Sequence, residues 1–454
     1  MKNVLHLKVQ DIFYYVWLLS RPSLAEFRRP QTAEANQILF SPATCASGKT
    51  PLSPQVWALS AIVDNARAQR AANLSNKRLC RLFEARKGDI PMSINEIIVY
   101  LMVLFMALGA IDRILGNRFG LGEKFEEGIL AMGSLALAMI GIICLAPVLA
   151  SLLRPVVVPV YRFLGADPAM FAGTILANDM GGAPLARELA LTQEAGQFGG
   201  LIVGSMLGPT IVFTIPVGLG IIKAEDRPHL ATGVLAGVVT VPIGSFVGGL
   251  AAGFPLSMVL RNLIPIVLIA VLIALGLFFA PNGMVKGFQV FGKIIVIIIT
   301  IGLAAAIIQE LTPLTLIPGL NPISDGVEIV GDIAIVLAGA FPLVFVITKV
   351  FRRPLMKLGG LLGMNDVAAA GMVATLANNI PMFQMMSDMD RRGKIINVAF
   401  AVSASFVFGD HLGFTAGFDS TMLFPMIVGK LVGGITAVAA AMLLTRKDRR
   451  EDHG

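Results

Sequence analysis

The chain has 454 residues, 56% hydrophobic and 14% charged, with a formal net charge of +7; a soluble domain carries roughly 25% charged residues. With a mean hydropathy of +0.78, this composition excludes a soluble globular enzyme and a disordered chain, and 3 cysteines are too few for a disulfide framework. It fits a polytopic helical membrane protein, because an apolar stretch of about 20 residues is the signature of a crossing helix.

Residues 1–91 stand apart. They hold 13 of the 36 Lys and Arg and 6 of the 29 Asp and Glu, so the whole +7 lies there and residues 92–454 carry 23 charges of each sign. Their longest apolar run, Ile12–Leu19, is too short to span, and with Asp11 before it and Arg21 after it reads poorly as a signal peptide. Ser41–Pro54 reads as loop. Ala61–Arg86 is the predicted helix of this segment. The basic run Lys77, Arg78, Arg81, Arg86 and Lys87 suits a solvated linker or, less well, a contact with anionic lipid.

From Met92 apolar runs follow at about 94–111, 128–153, 171–190, 200–222, 230–252, 262–280, 288–309, 328–350, 367–387, 396–414 and 421–445. They are apolar all round, so length rather than periodicity is the evidence. Glycines four apart recur at Gly204 and Gly208, Gly233 and Gly237, Gly244 and Gly248, and Gly429 and Gly433, a spacing that lets membrane helices approach closely.

The chain also resembles itself at a spacing of about two hundred residues. Arg154-Pro155 answers Arg353-Pro354, Leu164-Gly165 answers Leu362-Gly363, and Gly173 answers Gly371. Leu176-Ala177-Asn178-Asp179 answers Leu376-Ala377-Asn378-Asn379, Ser205 answers Ser405, and 233–240 answers 429–436. Paired repeats are common in transporters, with the site where they meet near the midplane. If all eleven runs crossed the membrane, the basic residues would show no sidedness. If the segments around Asn178 and Asn378 are re-entrant hairpins, 18 Lys and Arg gather on the cytoplasmic side and only Arg154, Arg162, Arg187 and Arg261 lie outside. The expectation is an all-α polytopic membrane transporter with nine to eleven transmembrane segments, two of them re-entrant hairpins. It is built from two inverted repeats, about 92–252 and 284–445, joined by a linker helix at 253–283.

An ionisable residue within a span costs roughly 2.5–3.5 kcal/mol on insertion scales and is a functional candidate. Asn178 and Asp179 precede Gly181-Gly182, and Asn378 and Asn379 precede Pro381; such breaks expose backbone dipoles to a bound solute. The other reading is an inter-helix hydrogen-bond cluster. Asp410-His411 either attracts a cation and titrates near neutral pH or caps a helix end. Glu126-Glu127 and Glu328 through Asp332 read as interfacial or, less well, as gating groups, and Glu96 and Asp112 read as interfacial. No spacing suits a zinc site, a P-loop or a nucleophile elbow, and no nucleic-acid fold accompanies the basic segment. No cofactor, metal or catalytic residue is therefore expected.

Several stretches identify the chain more closely: Phe125–Met139, Met170–Gly182, Leu201–Ile222, Ala368–Phe383, FGDHLGF at Phe408–Phe414, and Phe424–Gly434. In these the chain, from Met92 to about Leu444, resembles the ethanolamine permease family of bacterial ethanolamine-utilisation operons. The resemblance implies uptake of ethanolamine across the bacterial inner membrane for cytoplasmic ammonia-lyase chemistry. It begins at Met92, so residues 1–91 would be a mis-assigned start, an upstream fusion or a real extension. The family supplies no ligand set, and the site is argued physically. An ammonium with one hydroxyl needs a carboxylate or aromatic face and an amide. Asp179 and Asp410 are the ammonium candidates; Asn178, Asn378 and Asn379 are the amide candidates; Phe383 or Phe408 would add an aromatic face. Potential-driven uniport suffices energetically, and proton or sodium coupling through Asp410-His411 is the alternative. A carrier of an anionic or zwitterionic solute and a non-transporting membrane sensor stay open. Oligomeric state is not fixed by the sequence.

Overall fold

The computed structural model describes residues 93–445. The expectations for residues 1–91, and the C-terminal basic cluster from Arg446, lie outside the described residues. Those described are helical, with no strand among them.

The first helix, α1 (Ile94–Ile114), starts on a capping box in which Ser93 Oγ accepts from the Glu96 N–H and Glu96 accepts from the Ser93 N–H. At its other end the buried Asp112 carboxylate accepts the N–H groups of Phe119, Leu121 and Gly122. These bonds satisfy the free donors that open α2 (Leu121–Phe163). At 43 residues and about 1.5 Å per residue, α2 is far longer than a ~30 Å hydrocarbon core requires.

The chain then reverses at Gly165 (φ +70°), a conformation that favours glycine. The apolar run that follows is interrupted. A seven-residue helix, α3 (Ala169–Ile175), gives way to extended backbone at Leu176, a 3-10 turn at Asn178–Met180 and α4 (Gly182–Leu189). Next come α5 (Gln193–Ser205) and α6 (Leu207–Ile221), bent by 41° at Met206. Two closely spaced helices, α7 (Arg227–Val238) and α8 (Val241–Ala251), precede α9 (Leu256–Phe279) and α10 (Pro281–Leu311).

The second half takes the same local forms at the residues that match in sequence. The long α11 (Ile323–Leu361) packs along α2 and carries Pro354 where α2 carries Pro155. Gly363 (φ +73°) reverses the chain as Gly165 does. Asn365 Oδ1 caps the Ala368 N–H just as Asp167 Oδ1 takes that of Ala169, both at 2.9 Å. The following run is again broken, into α12 (Asp366–Thr375) and α13 (Ile380–Gln384). The last elements are α14 (Arg391–Ala404), α15 (Asp410–Asp419) and α16 (Leu423–Leu444).

Among the described residues, seven helical stretches are long and apolar enough to cross a membrane, or eight with the α5–α6 pair counted as one span. The chain is an all-α polytopic membrane protein. The expected nine to eleven segments divide in a way that length alone does not reveal. The runs at 171–190 and 367–387 consist of short helices, and the run at 396–414 is interrupted between Ser405 and Gly409.

The expected glycine pairs sit at helix crossings. A Cβ on Gly244 would lie 2.6 Å from the Gly429 carbonyl oxygen, so only hydrogen fits where α8 crosses α16.

Candidate functional site

The helix interruptions pack on one another, because backbone groups freed by one break are satisfied by another. The Phe406 and Phe408 N–H groups donate to the carbonyls of Thr375 and Leu376 at 3.1 and 2.9 Å. This holds the α14–α15 break against the end of α12 and places Phe406, a bulky residue, at φ +62°, where non-glycine backbone is strained. Thr210 Oγ1 on α6 donates to the Val402 carbonyl, and Asn379 Nδ2 donates to Thr214 Oγ1 at 3.0 Å. Through these bonds the α5–α6 pair is joined to both α14 and the α12–α13 segment.

At the centre lies a line of polar side chains. Asp179, at the 3-10 turn, has its Oδ1 3.9 Å from His411 Nε2. His411 Nδ1 is 3.0 Å from Lys430 Nζ, and that ammonium also donates to the Ser205 carbonyl at the α5–α6 bend. Lys430 is completely buried and His411 nearly so, while Asp179 is partly exposed. The Phe406 ring lies 5.1 Å from the imidazole, centre to centre. Beside Asp179, Asn178 is buried with neither amide atom bonded to another protein group.

Two cavities flank this line at opposite ends of α15. The first, about 260 Å³, contains Asp410 from the start of α15 and Glu127 from α2. Asn378 and Thr348 add an amide and a hydroxyl, and Phe341, Phe345 and Phe408 supply aromatic walls. The second, about 460 Å³, lies at the end of α15, with Phe418, Asp419, Arg187 and Gln193 in its wall. There the Arg187 guanidinium sits 3.9 Å from the centre of the Phe418 ring, and Gln197 donates to Asp419 at 2.7 Å. Ten residues of helix correspond to about 15 Å between the two.

The six residues singled out from the sequence thus fall into three settings. Asn178, Asp179 and His411 gather at the central line. Asn378 and Asp410 share the first cavity. Asn379 is fully buried and bonded to Thr214, as an inter-helix brace is. Of the two phenylalanines, Phe408 lines the first cavity, whereas Phe383 is buried against Gly218 and lines none of the cavities described above. Glu127, read from sequence as interfacial, belongs to the same cavity as Asp410. Lys430 was missed, although an ionisable residue in the middle of the last apolar run carries the same signal that singled out Asp179.

Residues 94–444 match the family described as ethanolamine utilisation protein, EutH. The chain belongs to the EutH family. Among its curated relatives, a protein of Listeria monocytogenes named a probable ethanolamine permease EutH is 71% identical over 356 residues, covering 78% of this chain and 95% of that one. EutH proteins of the same printed name from Salmonella typhimurium and Escherichia coli are 54% and 53% identical, each covering 79% of this chain and 97% of their own length. No solved structure matches the chain. The EutH match spans both halves and every residue of the central line and the two cavities.

Proposed function

We propose that this chain carries ethanolamine, as its ammonium ion, across the bacterial inner membrane into the cytoplasm, as a transporter and not an enzyme. The observation that carries the reading is the first cavity. The Asp410 carboxylate and three aromatic rings suit a small ammonium, with Glu127 beside them paired to Lys124 of the same cavity, and the Asn378 amide and Thr348 hydroxyl suit its single hydroxyl. The names of the relatives supply the substrate. Asp410, with Glu127 beside it, takes the ammonium on one side of the barrier. Asp179 and Asn178 take it at the central line, and Asp419 on the other side.

The two halves are inverted in this reading, with one hairpin reaching the central line from each face. Support comes from the matching interruptions and from basic-residue sidedness, which assigns the Glu127–Asp410 cavity to the cytoplasm and the Arg187 cavity to the outside. Membrane-potential drive and ion coupling are both compatible with the net direction, since cytoplasmic consumption draws the solute inward.

Uptake of labelled ethanolamine at mildly acidic pH, where the neutral amine leaks least, tests the proposal. Asp410→Asn and Asp179→Asn each remove a charge-assisted contact of about 1.5–3 kcal/mol, which corresponds to roughly tenfold or more in affinity. Unchanged uptake in both variants would remove the site. Tight binding of a small carboxylate with none of ethanolamine would favour an anionic solute instead.

A further inference from the structure

We propose that Lys430 is an internal rival of the substrate's ammonium, so that each ethanolammonium carried inward is exchanged for one proton. This inference rests on the reading that ethanolammonium binds at Asp179.

In the resting state of this proposal Lys430 is an ammonium. An ammonium only donates, so the Lys430–His411 bond makes Nδ1 the acceptor and leaves the imidazole proton on Nε2, the atom facing Asp179. Other elements packed on α16 bring little to offset the lysine's charge. The segment α8 has no titratable side chain. On α14 such residues occur only in the first turn, where Lys394 is paired with Asp226 at 2.6 Å. On α7 they are Arg227 and His229 at the start, on α5 Glu194 at the start, and on α1 Glu96 and Tyr100 near the start and Asp112 and Arg113 near the end. That leaves α15, which brings His411 with Asp410 next to it and Asp419 at its far end, and the 3-10 turn, which brings Asp179. One buried cation is therefore balanced through His411 by one carboxylate.

A second cation arriving at Asp179 takes that balancing charge away. A buried ammonium without compensation is strongly disfavoured, and Lys430 has a relay through which to lose its proton. The Nζ–H passes to His411 Nδ1, the Nε2–H leaves to water at the partly exposed Asp179, and Lys430 remains as a neutral amine. After the substrate departs on the cytoplasmic side, a proton from that side returns by the same relay. Each cycle moves one ethanolammonium in and one proton out, with no net charge. Ser205 couples this exchange to the fold, because the carbonyl that accepts from Lys430 ends α5 at its bend.

The full chain in proteoliposomes, with labelled ethanolamine and a pH-sensitive dye inside, tests the exchange at equal, mildly acidic pH against protein-free vesicles. With 100 mV imposed, interior negative, a uniporter would raise the accumulation ratio about 50-fold. The wild type is expected to leave that ratio unchanged and to alkalinise the interior by one proton per ethanolamine. Lys430→Met is expected to transport without proton movement and to accumulate substrate with the potential. Potential-driven accumulation by the wild type, or uptake without alkalinisation, overturns the exchange while leaving ethanolamine transport standing. Absence of wild-type uptake removes the parent reading itself. Either wild-type readout can overturn the exchange even if the variant fails to fold; carriage of the neutral amine would give the same wild-type result, and Lys430→Met behaving as the wild type would show that and overturn the exchange.

Discussion

Asn378 and Asn379 are neighbours in sequence with different work to do. Asn378 Oδ1 accepts the Ile380 N–H at 2.8 Å while the side chain lines the first cavity. Asn379 is buried and donates to Thr214. Substituting Thr214→Val removes that acceptor and leaves a buried donor unsatisfied, at a cost of about 1–3 kcal/mol. The expected result is a lower thermal midpoint in detergent together with reduced uptake. Asn378→Ala should reduce uptake with a smaller change in the midpoint, because its amide is the one exposed to the cavity. The sequence makes both residues visible as a repeated pair, but adjacent positions on a broken helix point in different directions, and spacing alone does not say which faces the cavity. Lys430 was legible in another way. The sidedness count places 22 of the 23 Lys and Arg beyond residue 91 on one face or the other; the one left over is Lys430, which lies on neither.

At the scale of elements, glycine spacing was the readable signal and helix interruption the unreadable one. The crossing of α8 and α16 depends on backbone contact at Gly244 and Gly429, so Gly244→Leu should overpack the interface by about 1–3 kcal/mol and lower the thermal midpoint. Gly133, in the middle of α2, has open space where a side chain would begin, with no atom within 4 Å of a Cβ added there, and Gly133→Ala should stabilise the helix by roughly 0.5–1 kcal/mol. Opposite shifts in the two midpoints are the expected pattern, and a rise in both would show that helix propensity rather than close approach dominates. The interruptions at Gly181-Gly182 and Pro381 had local residue signals. The one at Ser405–Gly409 did not, because Phe406 is held at positive φ by bonds to Thr375 and Leu376, contacts about thirty residues away in sequence.

At the scale of the molecule, α15 explains why hairpins matter. Its ten residues cover about 15 Å, half of a ~30 Å hydrocarbon core, yet a cavity lies at each end. The barrier between the cavities is thin only if they open to opposite faces, which is how the proposed inversion of the two halves would arrange them. A cysteine at each of two exposed positions tests the inversion with a membrane-impermeant maleimide. Lys357→Cys, on α11 near the second hairpin, is expected to react from the cytoplasmic side alone. Arg261→Cys, near the start of α9, is expected to react from outside alone. If both react from the same face, the halves are not inverted as proposed and Asp410 and Asp419 cannot serve as stations on opposite sides of the same path. If they react from opposite faces, the charge that seemed at first to describe the whole chain has separated into two parts. The +7 belongs to residues 1–91, and the neutral remainder keeps its basic residues sorted by side, with Lys430 alone between them.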